Sequence, residues 1–173
     1  KVPATKPGLA AVTELISRGI NVNVTLIFGL ENYKGVANAY IDGLEKYLEK
    51  NPGGSLEKIS SVASFFISRI DSTVDAQLDD HPEMKGKAAI ANAKLVYQEA
   101  EKKFSGERWQ KLADKGAAVQ RPLWASTSTK NPDYPDTLYV DELIGPGTVN
   151  TLPPATYDSF KDHGKIAITI EKD

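Results

Sequence analysis

The sequence predicts an α/β fold, the C-terminal part of an eightfold (β/α)8 barrel, and three observations predict it. A strand pattern followed by a helical pattern recurs roughly four times along the 173 residues. The strand patterns are rich in β-branched residues and have helical patterns on both sides, which favours parallel strands joined by crossover helices. Small polar residues gather where these strands finish. Four such units, with a strand ending at Lys1, make somewhat more than half of a barrel whose usual length is about 250 residues. Residues 1–173 are therefore expected to form one partial barrel domain, its N-terminal strands and its C-terminal closing element lying outside the chain.

Composition narrows the classes. With 40% hydrophobic and 25% charged residues the chain has the balance of a globular protein with one sizeable core. A net charge of -2 provides no basic field for nucleic acid or an anionic membrane. No cysteine is present, which excludes disulfides, thiolate nucleophiles and zinc–thiolate or iron–sulfur sites. No apolar run approaches the about 18–20 residues that span a bilayer, and the start lacks the apolar segment of a signal peptide. The expectation is a cytoplasmic protein.

In order, Lys1-Val-Pro-Ala-Thr5 reads as the end of a strand, and Lys6-Pro-Gly-Leu9 opens a helix in which Leu9, Val12, Leu15 and Ile16 share a face. Gly19 caps it. From Ile20 to Phe28 a strand alternates, with Asn21, Asn23 and Thr25 on one side and Val22, Val24 and Leu26 on the other. In a parallel sheet both faces are buried, so these polar residues need hydrogen-bonding partners, as a polar pocket in a barrel mouth would supply. A solvated strand face is the competing reading. A helix follows from Glu31 to about Lys50, with Tyr33, Val36, Ala37, Tyr40, Ile41, Leu44, Tyr47 and Leu48 at core spacing, stopped by Asn51-Pro-Gly-Gly54.

The next strand, Ile59 to Ser68, sets Ser64, Phe66 and Ser68 on one face and Ala63, Phe65 and Ile67 on the other; Arg69-Ile-Asp71 and more helix follow. His81-Pro82 breaks that helix. His81 sits among Asp79, Asp80 and Glu83, where a solvated loop is a better reading than a metal site, because no second histidine supports one. Lys87 to Phe104 is a helix with Ile90, Ala93, Tyr97, Ala100 and Phe104 inside. A short helix from Trp109 to Lys115 ends at Gly116, and Ala117 to Ser126 reads as a strand running into Thr127-Ser-Thr-Lys-Asn-Pro132. Hydroxyls, amides and a lysine directly after a strand suit an anion, although a plain Ser/Thr turn has the same composition. A short helix at Asp136–Gly145, a strand at Thr148–Leu152, a helix at Ala155–His163 closed before Gly164, and a strand-like Lys165–Ile170 complete the chain.

Four of these stretches, Lys1-Val-Pro-Ala-Thr5, Gly19-Ile-Asn-Val-Asn-Val-Thr-Leu-Ile-Phe28, Ser64-Phe-Phe-Ile-Ser-Arg-Ile-Asp71 and Trp124-Ala-Ser-Thr-Ser-Thr-Lys-Asn131, together resemble transaldolase from its fourth barrel strand onward. The block from Pro122 to Leu152 resembles the microbial branch in which some members are fused to a phosphoglucose isomerase. The resemblance implies a class I mechanism of the pentose phosphate pathway with no metal or organic cofactor. A lysine forms an imine with a ketose phosphate, fructose 6-phosphate or sedoheptulose 7-phosphate, and passes a dihydroxyacetone unit to an aldose phosphate.

By motif position Lys1 is that lysine. An amine attacks only when unprotonated, so the role requires a pocket or a positive neighbour that lowers its pKa from about 10.4. Were Lys1 a truly free chain end, it would be an ordinary solvated lysine. The resemblance further implies that Asn23 holds a hydroxyl of the dihydroxyacetone unit, that Thr25 helps place a catalytic water, that Ser64 binds the same three-carbon unit, and that Phe66 lines the pocket. Arg69 and Ser126 match phosphate-binding residues, a guanidinium fork suiting phosphate better than an ammonium. Two residues past that serine the better-known branch has a second arginine; here Ser128 stands there, and Lys130 is the candidate replacement.

The family's acid/base aspartate and glutamate, and another substrate-binding asparagine, belong to earlier strands. Proton transfer contributes about 10²–10⁴-fold in rate, so this chain is expected to need the N-terminal half of the same barrel as its partner. Sugar phosphates are the other expected partners, with no nucleic acid and no membrane; homo-oligomerisation stays open. Two alternatives remain beside transaldolase: an aldolase that splits fructose 6-phosphate to free dihydroxyacetone, and a barrel scaffold that has lost the chemistry.

Overall fold

The computed structural model describes residues 1–172; Asp173, the last residue of the expected domain, lies outside them. Five parallel strands form one sheet in the order of the chain, β1 (Val2–Pro3), β2 (Val22–Ile27), β3 (Ser61–Phe66), β4 (Arg121–Ala125) and β5 (Val149–Asn150). Helices α1 (Lys6–Ile16), α2 (Leu30–Lys50), α3 (Ser68–Val74), α4 (Ala88–Lys103), α5 (Glu107–Ala113) and α6 (Leu138–Asp141) make the crossovers, and α7 (Pro154–His163) follows β5. Sequential parallel neighbours joined by helices are what a strand-then-helix rhythm builds.

The core lies between the sheet and these helices. Val22, Val24, Ile27, Ala63, Phe65 and Trp124 on the strands meet Val12 and Ile16 of α1, Val36, Tyr40 and Leu44 of α2, and Ala93 and Val96 of α4. Trp124 stacks edge-on against Phe65 and donates its indole N–H to Leu143 O. α1 begins with Thr5 as N-cap, its Oγ1 accepting from Gly8 N, and Pro7 in the first turn. Gly19 takes the left-handed conformation at φ 76° where the sequence predicts a cap, and the Ile20 N–H returns to Leu15 O. A Cβ on Gly8 would stand 2.0 Å from Pro3 O, so only glycine lets α1 pack directly on the end of β1.

Several expectations are corrected. The alternation of β2 breaks at Leu26. Val24 pairs with Ala63 and Ile27 with Phe65, so Thr25 and Leu26 together oppose Ser64 in a β-bulge, with Leu26 at φ 59°. Leu26 is thereby turned out of the apolar face to 42% exposure, and Ile27 takes its place in the core. Asn21 lies outside the strand and accepts from Ser60 N. Ser68 opens α3 and does not continue the face of β3. The helix expected over Asp136–Gly145 is the single turn of α6. Lys165–Ile170 is not a strand: the N–H groups of Thr169 and Ile170 both go to Ile144 O, Ile166 is 87% exposed, and only Ile170 is buried. Gly164 follows α7 at φ -63°; the Phe160 ring, 2.2 Å from where a Cβ would stand, accounts for the glycine there.

Candidate active site at the strand ends

The expected site residues fall in two groups, one along the strands and one at and just past the C-terminal ends of β3 and β4. The first lies across β1, β2 and β3. Register pairs Val2 with Val24 and Asn23 with Val62, so one residue back along β1 sets Lys1 beside Asn23. The Ser64 hydroxyl, 1% exposed, donates to Asn23 Oδ1 at 2.7 Å. That bond occupies the amide's acceptor and leaves its Nδ2 group as donor. Asn23 and Ser64 thus have the partner that burial demands. Thr25 is half-buried at the bulge, and its carbonyl accepts from Ala4 N at 2.8 Å, extending the ladder just past β1. Ala4 O accepts in turn from Asn32 Nδ2 at 2.8 Å, so α2 pins the segment that follows Lys1.

The second group lies on β3, β4 and the segments after them. The Arg69 guanidinium sits 5.0 Å from the centroid of the Phe66 ring, and that ring packs on Phe28 at 5.3 Å. Arg18 and Arg108 are tied to carboxylates, whereas among the described residues none pairs with Arg69. Its charge is held by an aromatic face and left available to an anion. Ser126 directly follows β4 at φ 58°, a conformation that costs a non-glycine residue about 1–3 kcal/mol and persists only where surroundings impose it. Here its carbonyl accepts from Ser68 N at 3.0 Å and its Oγ lies 2.9 Å from Ser68 Oγ. Ser126 and the start of α3 are therefore joined. Lys130 is not joined to either: it is exposed and donates to Ser128 Oγ at 2.7 Å.

Sequence reasoning missed Leu26, Phe28 and Ser68. Phe28 and Ser68 each end a strand pattern, but a bulge and a left-handed serine leave no mark in residue types, and only pairing reveals them. The two histidines stand apart from this site. His81 is exposed beside Glu83 at 3.5 Å, and His163 lies between Asp136 and Asp162, whose carboxylates push its pKa up. Among the described residues no group of three His, Cys, Asp or Glu could hold a metal ion, and no helix is long and apolar enough to cross a membrane. A cavity of about 670 Å³ lies elsewhere, on the helical side between Lys87, Ile90 and Lys94 of the α4 region and Tyr134 and Leu138.

A parallel α/β sheet that carries a lysine and an amide–hydroxyl pair, with an aromatic-held arginine just past its strands, defines an α/β protein with a polar cluster on one face of its sheet. The chain belongs to the Transaldolase/Fructose-6-phosphate aldolase family, which it matches over residues 1–173. It is 56% identical to the transaldolase of Frankia alni, over 96% of this chain and 46% of that protein. It is 57% identical to transaldolase 1 of Streptomyces avermitilis, over 96% and 45%, and 51% identical to transaldolase 2 of Nostoc punctiforme, over 100% and 49%. The chain spans about half the length of the curated relatives it matches.

Proposed function

We propose that residues 1–173 form the C-terminal part of the (β/α)8 barrel of a transaldolase, working with the strands that precede them and a closing element that follows. The observation that carries this reading is the bonded pair Asn23–Ser64 at the register position of Lys1. The Lys1 amine attacks the ketone of fructose 6-phosphate or sedoheptulose 7-phosphate and water leaves, forming an imine. The imine accepts the electron pair of the breaking carbon–carbon bond, an aldose phosphate departs, and the retained three-carbon enamine attacks the aldehyde of the acceptor. Hydrolysis then frees the lysine. The free-amine form requires water-excluding walls, which the remaining strands provide.

The other roles follow. Asn23, through Nδ2, and Ser64 hold hydroxyls of the dihydroxyacetone unit, Thr25 places water, and Phe66 walls the pocket. Arg69 and Ser126 receive the phosphate, with Lys130 adding charge from its loop. Proton transfers fall to an aspartate and a glutamate on the preceding strands. The family's description also names fructose-6-phosphate aldolase, an enzyme that would release dihydroxyacetone without an acceptor. The uniformly transaldolase-named relatives favour transfer.

The test is borohydride reduction of the full-length polypeptide with fructose 6-phosphate, followed by peptide mass analysis. A reduced adduct on Lys1 is the expected result. A folded protein that contains the preceding strands and forms no adduct would leave a scaffold, and the imine reading would be wrong.

A further inference from the structure

Two segments supply the phosphate end of the proposed site; the Ser126–Ser68 bonds join them at the end of the sheet, and the remainder of the second segment needs an anchor of its own. Arg69 is in the first turn of α3, whereas Ser126 and Lys130 lie on β4's end and on the segment 126–137, which has no strand or helix of its own. In α3 and directly after it, two aspartates four residues apart each make a pair of connections, one to a backbone N–H and one to a tyrosine. Asp71 accepts from Ala89 N at 2.7 Å through one oxygen and from the Tyr139 hydroxyl at 2.8 Å through the other. Asp75 accepts from Gly86 N at 3.0 Å and from the Tyr134 hydroxyl at 2.7 Å. Asp71 thus ties α3 to the first turn of α4 and to α6, and Asp75, directly after α3, ties it to the segment entering α4 and to the segment leaving β4.

The two clamps differ in burial. Asp71 and Tyr139 are each 1% exposed and belong to the core, whereas Tyr134 is half-buried at the outer turn of the phosphate segment. The Tyr134 ring lies on Gly86, at φ 75°, where a Cβ would stand 3.0 Å from Tyr134 Cζ. Burial, with the Asp75 carboxylate beside it, pushes the Tyr134 phenol up to about 12, so it remains a proton donor throughout the neutral range. Asn131 tightens the same turn, its Oδ1 accepting from Asp133 N at 3.0 Å and its carbonyl from Tyr134 N at 3.2 Å.

We infer that Tyr134, through its hydroxyl on Asp75, is a positioning residue for phosphate: it fixes the 126–137 segment beyond the Ser126–Ser68 bonds against α3, so that Lys130 stands in register with Arg69. The inference rests on the phosphate reading of Arg69. A segment already held in its bound arrangement binds without the cost of ordering it, so the clamp acts on affinity for the phosphate end and not on chemistry at the lysine.

The test compares Tyr134→Phe, which keeps the ring on Gly86 and removes the hydroxyl, with Arg69→Gln in the full-length enzyme. Three quantities are measured: inhibition by inorganic phosphate, KM and kcat with fructose 6-phosphate, and the rate of borohydride trapping with unphosphorylated dihydroxyacetone. For Tyr134→Phe the expected result is a rise of about three- to tenfold in both the phosphate inhibition constant and KM, with kcat within about twofold and dihydroxyacetone trapping unchanged. If Arg69→Gln weakens phosphate inhibition while Tyr134→Phe leaves it alone, or lowers only kcat, the clamp is structural and the inference is overturned. If neither variant changes phosphate inhibition, the phosphate reading of Arg69 itself fails and the clamp's role falls with it.

Discussion

Ser64 shows how a single side chain divides its work between fold and site. It is buried, its hydroxyl is spent on Asn23, and its place opposite the bulge leaves it two neighbours on β2 where a regular strand would leave one. Removing it by Ser64→Ala forfeits a hydrogen bond worth about 0.5–1.5 kcal/mol and frees the Asn23 amide to turn. The expected outcome is a fall of up to about tenfold in kcat/KM of the full-length enzyme, measured with fructose 6-phosphate as donor, since about 1.4 kcal/mol corresponds to a factor of ten. Asp71 makes a prediction in pH. Burial pushes its carboxyl above the usual range, and the bonds from Ala89 and Tyr139 only partly oppose this. A folded pKa above the unfolded one contributes stability below the unfolded pKa that is lost as pH rises through the folded value. Asp71→Asn cannot ionise and keeps a carbonyl for Ala89 N. Thermal unfolding should therefore show the Tm of the variant gaining on that of the parent as pH rises above about 4, the unfolded aspartate value.

At the scale of elements, contact between α1 and its neighbours decides where Lys1 and Asn23 lie. α1 lands on β1 through Gly8 and on α2 through Gly43, where a Cβ would stand 2.6 Å from Ile16 Cβ. Gly43→Ala inserts a methyl group into this crossing. It should cost about 1–3 kcal/mol by overpacking, offset in small part by alanine's better helix propensity, and the denaturation midpoint of the full-length protein would report it. The residues of the proposed phosphate end are likewise placed by elements: the Phe28–Phe66–Arg69 stack depends on the ends of β2 and β3 being level, and the bulge at Thr25 and Leu26 sets that level. A bulge at the end of a strand re-aims side chains toward a site, which is its common use beside active sites.

For the whole molecule, the two outer strands of the described sheet are short and each has a single neighbour, and Leu26, Phe28 and Val119 are 42%, 40% and 43% exposed. Open parallel edges and uncovered apolar side chains invite association, so on the proposed reading the preceding strands cover them in the working enzyme. Residues 1–173 expressed alone should associate on size-exclusion chromatography and show at least about 10²-fold less transfer activity than the full-length protein, because the acid/base pair is supplied from the other strands. Full activity from the isolated chain would refute the division of roles proposed above.

Much of this was legible before any coordinates. Helix-period stripes at Val12 and Ile16, at Val36, Tyr40 and Leu44, and at Ala93, Tyr97 and Ala100 lie in the core as expected, because an amphipathic helix has only one face to bury. The strand-then-helix rhythm likewise determined a parallel sheet in chain order, since crossovers of this length leave few other arrangements. Alternation failed where pairing overrode it. Leu26 belongs to the apolar set by residue type and yet faces outward, because one extra residue in β2 shifts every later side chain. Lys165–Ile170 alternates like a strand and yet finds no strand to pair with. Residue types alone could name Asn23, Ser64, Arg69 and Ser126 as candidates. Only the tertiary structure could bond Ser64 to Asn23, seat Arg69 on Phe66, hold Ser126 in a left-handed turn against Ser68, and anchor Tyr134 on Asp75. Three of those contacts join residues 41, 58 and 59 positions apart, and through-space distances of that kind follow from register and packing, which local sequence does not encode.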